Sequence, residues 1–302
     1  MLTLLIFLTA FQDSAQAQDS TDFRAMLLCI NSGTTRLIVD EPLSVFITVG
    51  NPTERALKAS FFLQASAASL RVLVSRENGK FEEFRHWGCD PALVVGAPVT
   101  LEPKKLLIER RVISQGEGCL FCKPGVYRVK AELQDSNKTV LTSNELEVRV
   151  EETPAAETAA WTFLKEKKLL GVLGADAADY GTDTHLDALR GFVEQYPKSR
   201  FAPSARLSVV LLTLGPAMAC KKEDERVERL NALLKDATAA KETCHKDLLA
   251  DLLWVELSAT ICLRKYDEAV KLMASFKEAS VQHPRRSDLP SLEDQLQGIK
   301  PR

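Results

Sequence analysis

The spacing of the apolar residues changes once along this chain, and that change restricts the fold more than any other feature. Through residues 124–150 the recurrence is every second position. Tyr127, Val129, Ala131 and Leu133 share one parity, and Arg128, Lys130, Glu132 and Gln134 the other. Leu146, Val148 and Val150 alternate in the same way with Glu145, Glu147 and Arg149. Successive strand side chains point to opposite faces, so each arm has a wet and a dry face. Asp135-Ser136-Asn137-Lys138 supplies turn residues between the arms. The stretch reads as an antiparallel hairpin. Beyond Val150 the apolar residues recur every third or fourth position, the period of a helix. Two cores of different class follow, and a fragment ending near Glu152 is expected to fold alone as a sheet.

Upstream of the hairpin the same reading yields a series of short strands. Residues 18–24 are polar and read as loose, and Ala25–Ile30 reads as a buried strand with Cys29 as a core thiol. Leu43, Val45, Ile47 and Val49 share one face, closed by the turn residues Gly50-Asn51-Pro52-Thr53. Ala56–Gln64, Ser69–Arg76, Phe81–Trp87, Val99–Leu101 and Leu106–Ile113 are further strands, with 88–97 an irregular loop. Asn78-Gly79 between two of these predicts a hairpin turn. Short strands at this spacing suggest a β-sandwich.

Downstream, Pro154 suits the first turn of a helix and Thr153 a cap. Helices are expected over Ala155–Leu170, with Trp161, Leu164 and Lys168 along one side, and over Thr184–Tyr196, Pro203–Leu214, Asp224–Ala237, His245–Leu263 and Tyr266–Ser280. Residues 283–302 are rich in proline and charge and read as a flexible tail.

Two resemblances sharpen this outline. Gly125-Val126-Tyr127-Arg128-Val129 resembles the Gly-x-Tyr start of strand F in immunoglobulin-like domains, and EPLSVFITVGNPTERAL resembles the early strands of bacterial immunoglobulin-like modules. The likeness covers residues 25–151 and implies an all-β immunoglobulin-like sandwich at 23–151. Val129 stands where an antibody-type domain carries its inter-sheet cysteine, so the usual disulfide is not implied. FVEQYPKSRFAPSARL (192–207) resembles a tetratricopeptide junction of bacterial envelope proteins. LRKYDEAVKLMASF (263–276) is similar to the inter-helix turn and second helix of that repeat, with Tyr266 and Ala269 at matching places. This implies an all-α helical-hairpin, tetratricopeptide-like domain at 155–282. No clean repeat of about 34 residues runs through it, and a plain helical bundle is the alternative.

The first residues carry an apolar run from Leu2 to Phe11, followed by Ala15-Gln16-Ala17. That is the pattern of a secretory signal peptide over 1–17, and it predicts a soluble periplasmic or extracellular protein. No Lys or Arg precedes the run, so the α-amino group is the only charge ahead of it. No later stretch reads as a transmembrane span. The net charge is −2 with both signs interspersed, which gives nucleic acid no basic face.

In an oxidising compartment the seven cysteines would pair by default, leaving at least one odd thiol. His86, Cys89, Cys119 and Cys122 have site-like spacing. Four readings compete there: a structural disulfide joining Cys89, Cys119 and Cys122 in some pairing, incidental thiols, a zinc site, and a redox pair. Among the helices, Cys220 and Cys244 flank one helix and fall roughly 25 Å apart at ~1.5 Å per residue, too far to bridge. Cys262 returns to the Cys220 side, so if any helical pair bonds it is Cys220–Cys262; otherwise these are buried thiols behaving as small apolar residues.

His185, His245 and His283 read as surface residues. Asp176, Asp179, Asp183 and Asp187 suit turns and caps, and their spacing is not that of a calcium loop. No serine-hydrolase elbow, zinc-protease pair or phosphate-binding glycine loop occurs. No catalytic residue, cofactor or metal is therefore expected. The reading that follows is a non-enzymatic envelope protein that binds another envelope protein or a peptide, through sheet edges, loops or a helical groove. The alternative is an accessory module of an envelope enzyme, or a hydrolase whose site has no recognisable motif.

Overall fold

The structure, a computed structural model, describes residues 21–61, 69–77, 79–84, 98–113, 121–173, 183–244, 246–281, 283 and 288–297. The signal-like segment, His86, Cys89, Cys119, Asp176, Asp179 and His245 lie outside these residues.

The N-terminal half is β-rich. Its strands are β1 (Leu27–Asn31), β2 (Arg36–Ile38), β3 (Leu43–Gly50), β4 (Leu57–Ser60), β5 (Leu70–Arg76), β6 (Glu82–Phe84), β7 (Pro98–Leu101), β8 (Leu106–Ile113), β9 (Gly125–Gln134), β10 (Val140–Thr142) and β11 (Leu146–Glu151). They order as β1-β3-β8, as β2-β11-β9-β5-β6 with β10 also on β9, and as the pair β4-β7. β9 is the axis of the largest sheet. Its Tyr127, Val129, Ala131 and Leu133 are buried, as the alternation requires. β5 runs antiparallel beside it, with Val72 opposite Ala131 and Val74 opposite Val129. β5 and β6 pair across the Asn78-Gly79 position, with Val74 opposite Glu82.

The return arm of the predicted hairpin comes in two pieces. β10 continues the register of β9, with Val140 opposite Gln134. The turn is held by Asp135, whose Oδ1 accepts the N–H groups of Asn137 (2.9 Å) and Thr139 (2.7 Å). Between β10 and β11, Ser143 Oγ accepts the Ala131 N–H (2.8 Å), and the Asn144 side chain turns to β1. Asn144 Oδ1 accepts the Ile30 N–H and its amide donates to the Ile30 carbonyl, both at 2.9 Å. One side-chain amide thus takes the place of a strand partner along β1.

Two expectations near the N-terminus are corrected. Residues 21–24 form a helical turn rather than a loose lead-in. Phe23 is fully buried, 5.9 Å from the Phe61 ring. The buried Asp22 holds Arg55 (2.6 Å) and the Lys58 N–H (3.0 Å). Cys29 is not a core thiol: in β1 only alternate residues point inward, so Leu27 and Cys29 face outward. Leu27 lies opposite Gly50, where a Cβ would come 2.9 Å from Leu106 Cδ2, so a larger residue would push Leu106 aside.

The C-terminal half is helical. A short 3-10 turn at Ala155–Glu157 leads into α1 (Thr158–Glu166), followed by α2 (Asp183–Gln195), α3 (Ala202–Ala219), α4 (Glu223–Lys241), α5 (Leu249–Cys262), α6 (Tyr266–Ala279) and α7 (Leu289–Gln297). Each helix packs on the next, and α3 also meets α5, as α5 meets α7. Three apolar clusters lie in series. The first joins Leu164, Leu189, Phe192, Phe201 and Val209. The second joins Leu207, Leu214, Leu230, Leu233, Leu252 and Val255. The third joins Leu253, Leu257, Met273, Phe276, Leu289 and Leu292. α3 serves the first two and α5 the last two, which is why both are apolar nearly all round.

That double duty bears on four departures from the sequence reading. α3 runs through Gly215-Pro216 instead of stopping at Leu214, because Ala217 is buried in the second cluster. By length and composition α3 could cross a membrane, but its apolar surface is spent on two helical neighbours. The expected flexible tail contains α7, whose Leu289 and Leu292 complete the third cluster. His283, expected at the surface, is buried, with Nε2 3.4 Å from Asp251 Oδ2.

The chain divides into two compact units. One is Met1–Thr35, Val45–Arg111 and Gly125–Arg149, and the other is Arg36–Ser44, Val112–Pro124 and Val150–Arg302. The helical unit therefore takes two short segments from the N-terminal half. Ile38 shows why: it is fully buried in the first helical cluster.

Candidate functional site

Residues 36–41 are strapped onto the helices by polar contacts. The Arg200 guanidinium donates to Glu41 Oε2 (3.0 Å) and to the Arg36 carbonyl (3.2 Å). Glu41 in turn accepts the Ile38 N–H through the same oxygen (2.8 Å). Glu157 receives the Ser199 hydroxyl (2.6 Å) and the Arg200 N–H (3.1 Å), which fixes the start of α1 beside the arginine. The strap turns at Asp40, whose φ of +65° lies in the left-handed region. Aspartate tolerates that region better than most residues, because its short polar side chain bonds locally. The Val39 N–H donates to the Glu151 carbonyl (3.0 Å) and the Asp40 N–H to the Phe121 carbonyl (3.1 Å).

This turn forms one wall of a cavity of about 550 Å³, within the size range of small-ligand sites. Cys122 and Pro124 come from the segment before β9, Glu152 and Thr153 from the link after β11, and Thr158, Trp161 and Lys165 from one side of α1. All belong to the helical unit. The Trp161 indole N–H donates to Asp40 Oδ2 at 2.9 Å. Asp40 is only 6% exposed, so a carboxylate is held in place by an aromatic donor below the surface. Lys165, one helical turn after Trp161, sets its ammonium 4.6 Å from the indole ring centre. The expected stripe of Trp161, Leu164 and Lys168 is shorter than foreseen. α1 ends at Glu166, and Lys168 lies in the turn beyond it with φ +55°.

The cavity offers an aromatic face, a fixed carboxylate, a second carboxylate on Glu152, an ammonium and two threonine hydroxyls. That inventory suits recognition of a polar or charged group by stacking and hydrogen bonding.

Cys29, Cys122, Cys220, Cys244 and Cys262 form no disulfide among the described residues. Cys122 lines the cavity, while the pairings with Cys89 and Cys119, and the zinc alternative through His86, lie outside the described residues. Cys220 follows α3 and Cys262 ends α5, and both lie near the Arg226 guanidinium. Burial pushes the Cys262 thiol up, against the pull of that guanidinium. Among the described residues no group of three His, Cys, Asp or Glu side chains stands close enough to hold a metal ion. Asp187 is exposed on α2 and His185 half-buried near its start.

No family model matches the chain. No curated protein matches it either. Among solved structures, the sporulation control protein Spo0M from Bacillus subtilis is similar at 8% identity and a TM-score of 0.28, over 47% of this chain and 55% of that one. A β-glucosidase from Listeria innocua in complex with gluconolactone is similar at 16% identity and a TM-score of 0.26, over 43% of this chain and 16% of the enzyme. The alkylpurine DNA glycosylase AlkC of Pseudomonas fluorescens is similar at 9% identity and a TM-score of 0.26, over 45% and 35%. The chain spans about half the length of the first of these and less of the others, and likenesses this slight carry no functional argument.

Proposed function

We propose that this is an exported, soluble, non-enzymatic binding or scaffold protein of the cell envelope. In this reading the β-rich unit is an immunoglobulin-like sandwich, supported by Tyr127 buried at the start of β9. The helical unit is tetratricopeptide-like, supported by the serial clusters and by contacts of α5 with α3 and α7 as well as with its chain neighbours. A repeat array packs each helix pair only on adjacent pairs, which produces such a row.

The observation that carries the binding reading is the Trp161–Asp40 pair inside the cavity. An indole locked to a buried carboxylate is rigid before any ligand arrives, which lowers the ordering cost of association. A groove along α5 is a weaker place for the ligand. From Ala250 to Ile261 every α5 side chain except Trp254 is buried, so that helix has no free face. The test is a photo-crosslinking amino acid at Thr158, in the cavity wall, used in intact envelopes. One stoichiometric adduct is expected, absent from a control at the exposed Glu228 on α4. Equal labelling from both positions, or none, would remove the reading. If the partner recovered is an enzyme, the chain is its accessory module.

A further inference from the structure

We propose that Cys220 and Cys262 join as a disulfide that ties the joint after α3 to the end of α5 once the protein meets a disulfide oxidant. This rests on the export part of the reading above, which puts the thiols in an oxidising compartment. Short joints on either side of α4 turn the chain back twice, so α3 and α5 run in the same direction and end on the same side. The two helices pack directly on each other. Ala217 in the last turn of α3 and Ala259 in the last turn of α5 are both buried in the second cluster, and Cys262 packs against it. Each alanine precedes one of the cysteines by three residues, and side chains this small let the helix ends approach closely.

A second contact places the same ends together. Lys265 Nζ donates to Asn231 Oδ1 at 3.1 Å, which fastens the turn after α5 to the first half of α4. Cys220 lies in the joint just ahead of that helix, and both thiols lie near the Arg226 guanidinium in its first turn. Cys244 follows the opposite end of α4, out of reach of either. The structure holds Cys220 and Cys262 reduced and half-buried. Cys220 Sγ donates to the Lys222 carbonyl at 3.7 Å, a long contact that is easily given up when the side chain turns.

The reaction is two thiol–disulfide exchanges with a small disulfide such as oxidised glutathione. The Cys220 thiol gives its proton to solvent, and its sulfur bonds to one sulfur of the oxidant. The oxidant's S–S bond breaks, and the departing sulfur takes up a proton. The Cys262 thiol then loses its proton, and its sulfur attacks Cys220 Sγ and expels the second small thiol. The protein pair gives up two electrons and the oxidant gains them. Burial pushes the Cys262 thiol up, against the pull of Arg226, which suits it to the second step, where its target is already beside it. The closed loop contains all of α4, so the second cluster is clamped at that end.

The test incubates the whole chain with mixtures of oxidised and reduced glutathione, blocks remaining thiols, and maps the unreduced peptides by mass spectrometry. A peptide linking Cys220 to Cys262 is expected, with a rise of about 5 °C or more in the melting temperature of the helical signal. Cys220→Ser and Cys262→Ser should each lose the linked peptide and the rise, and Cys244→Ser should keep both. Lasting glutathione adducts at both positions, or linkage of either to another cysteine, would overturn the proposal. A parallel sample has its thiols blocked in living cells before lysis. If glutathione links the pair in the purified chain but both thiols are blocked in cells, the export reading falls and the pairing stands.

Discussion

Asp22 shows how much one side chain holds in place near the start of the described chain. Burial alone would raise its carboxyl, but the Arg55 hydrogen bond, the Lys58 N–H and the charges of both residues outweigh it, and the group titrates below the ordinary aspartate range. Since its folded pKa lies under the unfolded value of about 3.9, the carboxylate contributes stability above that pH. The contribution is lost as pH falls through the lower, folded value. Asp22→Asn is therefore expected to destabilise the protein by about 1–3 kcal/mol near neutrality, the cost of weakening buried hydrogen bonds to a charged group. Urea midpoints of both proteins, measured from pH 7 downward, should converge below about pH 4. A gap that stays constant with pH would show that packing, not charge, is at stake. None of this was legible in the sequence, where residues 18–24 read as a loose lead-in, because Arg55 and Lys58 lie more than thirty positions away.

Among the elements, α4 and α5 meet through a charge that has little access to water. Glu256 is 3% exposed and takes Lys241 Nζ at 2.5 Å and the Thr238 hydroxyl at 3.1 Å. Lys241→Met should cost about 3 kcal/mol, because it strands a buried carboxylate. Adding Glu256→Leu should recover most of that loss, since two apolar side chains need no partner. Denaturant midpoints of the two variants check this, and a double variant as unstable as the single one would refute it. The type of nearly every described element was readable from apolar spacing. β9 was plainest, because each of its alternate residues faces one core. α7 was hidden by Pro290 and the charges around it, although Leu289, Leu292 and Leu296 keep a helical stripe. The cavity was not readable at all. Asp40, Cys122, Glu152 and Trp161 come from four separate places, and only the Trp161–Lys165 step is local in sequence.

At the scale of the whole molecule, the change of period near Val150 marks a change of structure but not a clean cut. The helical unit needs Arg36–Ser44 and Val112–Pro124 as well as everything after Arg149. A fragment beginning at Thr153 therefore lacks Ile38 in its first cluster, Asp40 under Trp161 and Glu41 against Arg200. Losing the buried isoleucine alone is worth about 2 kcal/mol. The fragment's helical signal should melt roughly 4–8 °C or more below that of the intact chain, and a synthetic 36–44 peptide should restore part of the difference. Identical melting curves would mean the strap is ornamental.

The strap also has a consequence for how the protein is made. Domains of a nascent chain usually close one after another as they leave the ribosome. Here residues 36–44 emerge early, while the helices that bury Ile38, from Ala160 to Leu212, are translated much later. Closure of that first cluster must wait until α3 has been made, and the segment around Ile38 stays open to chaperones until then.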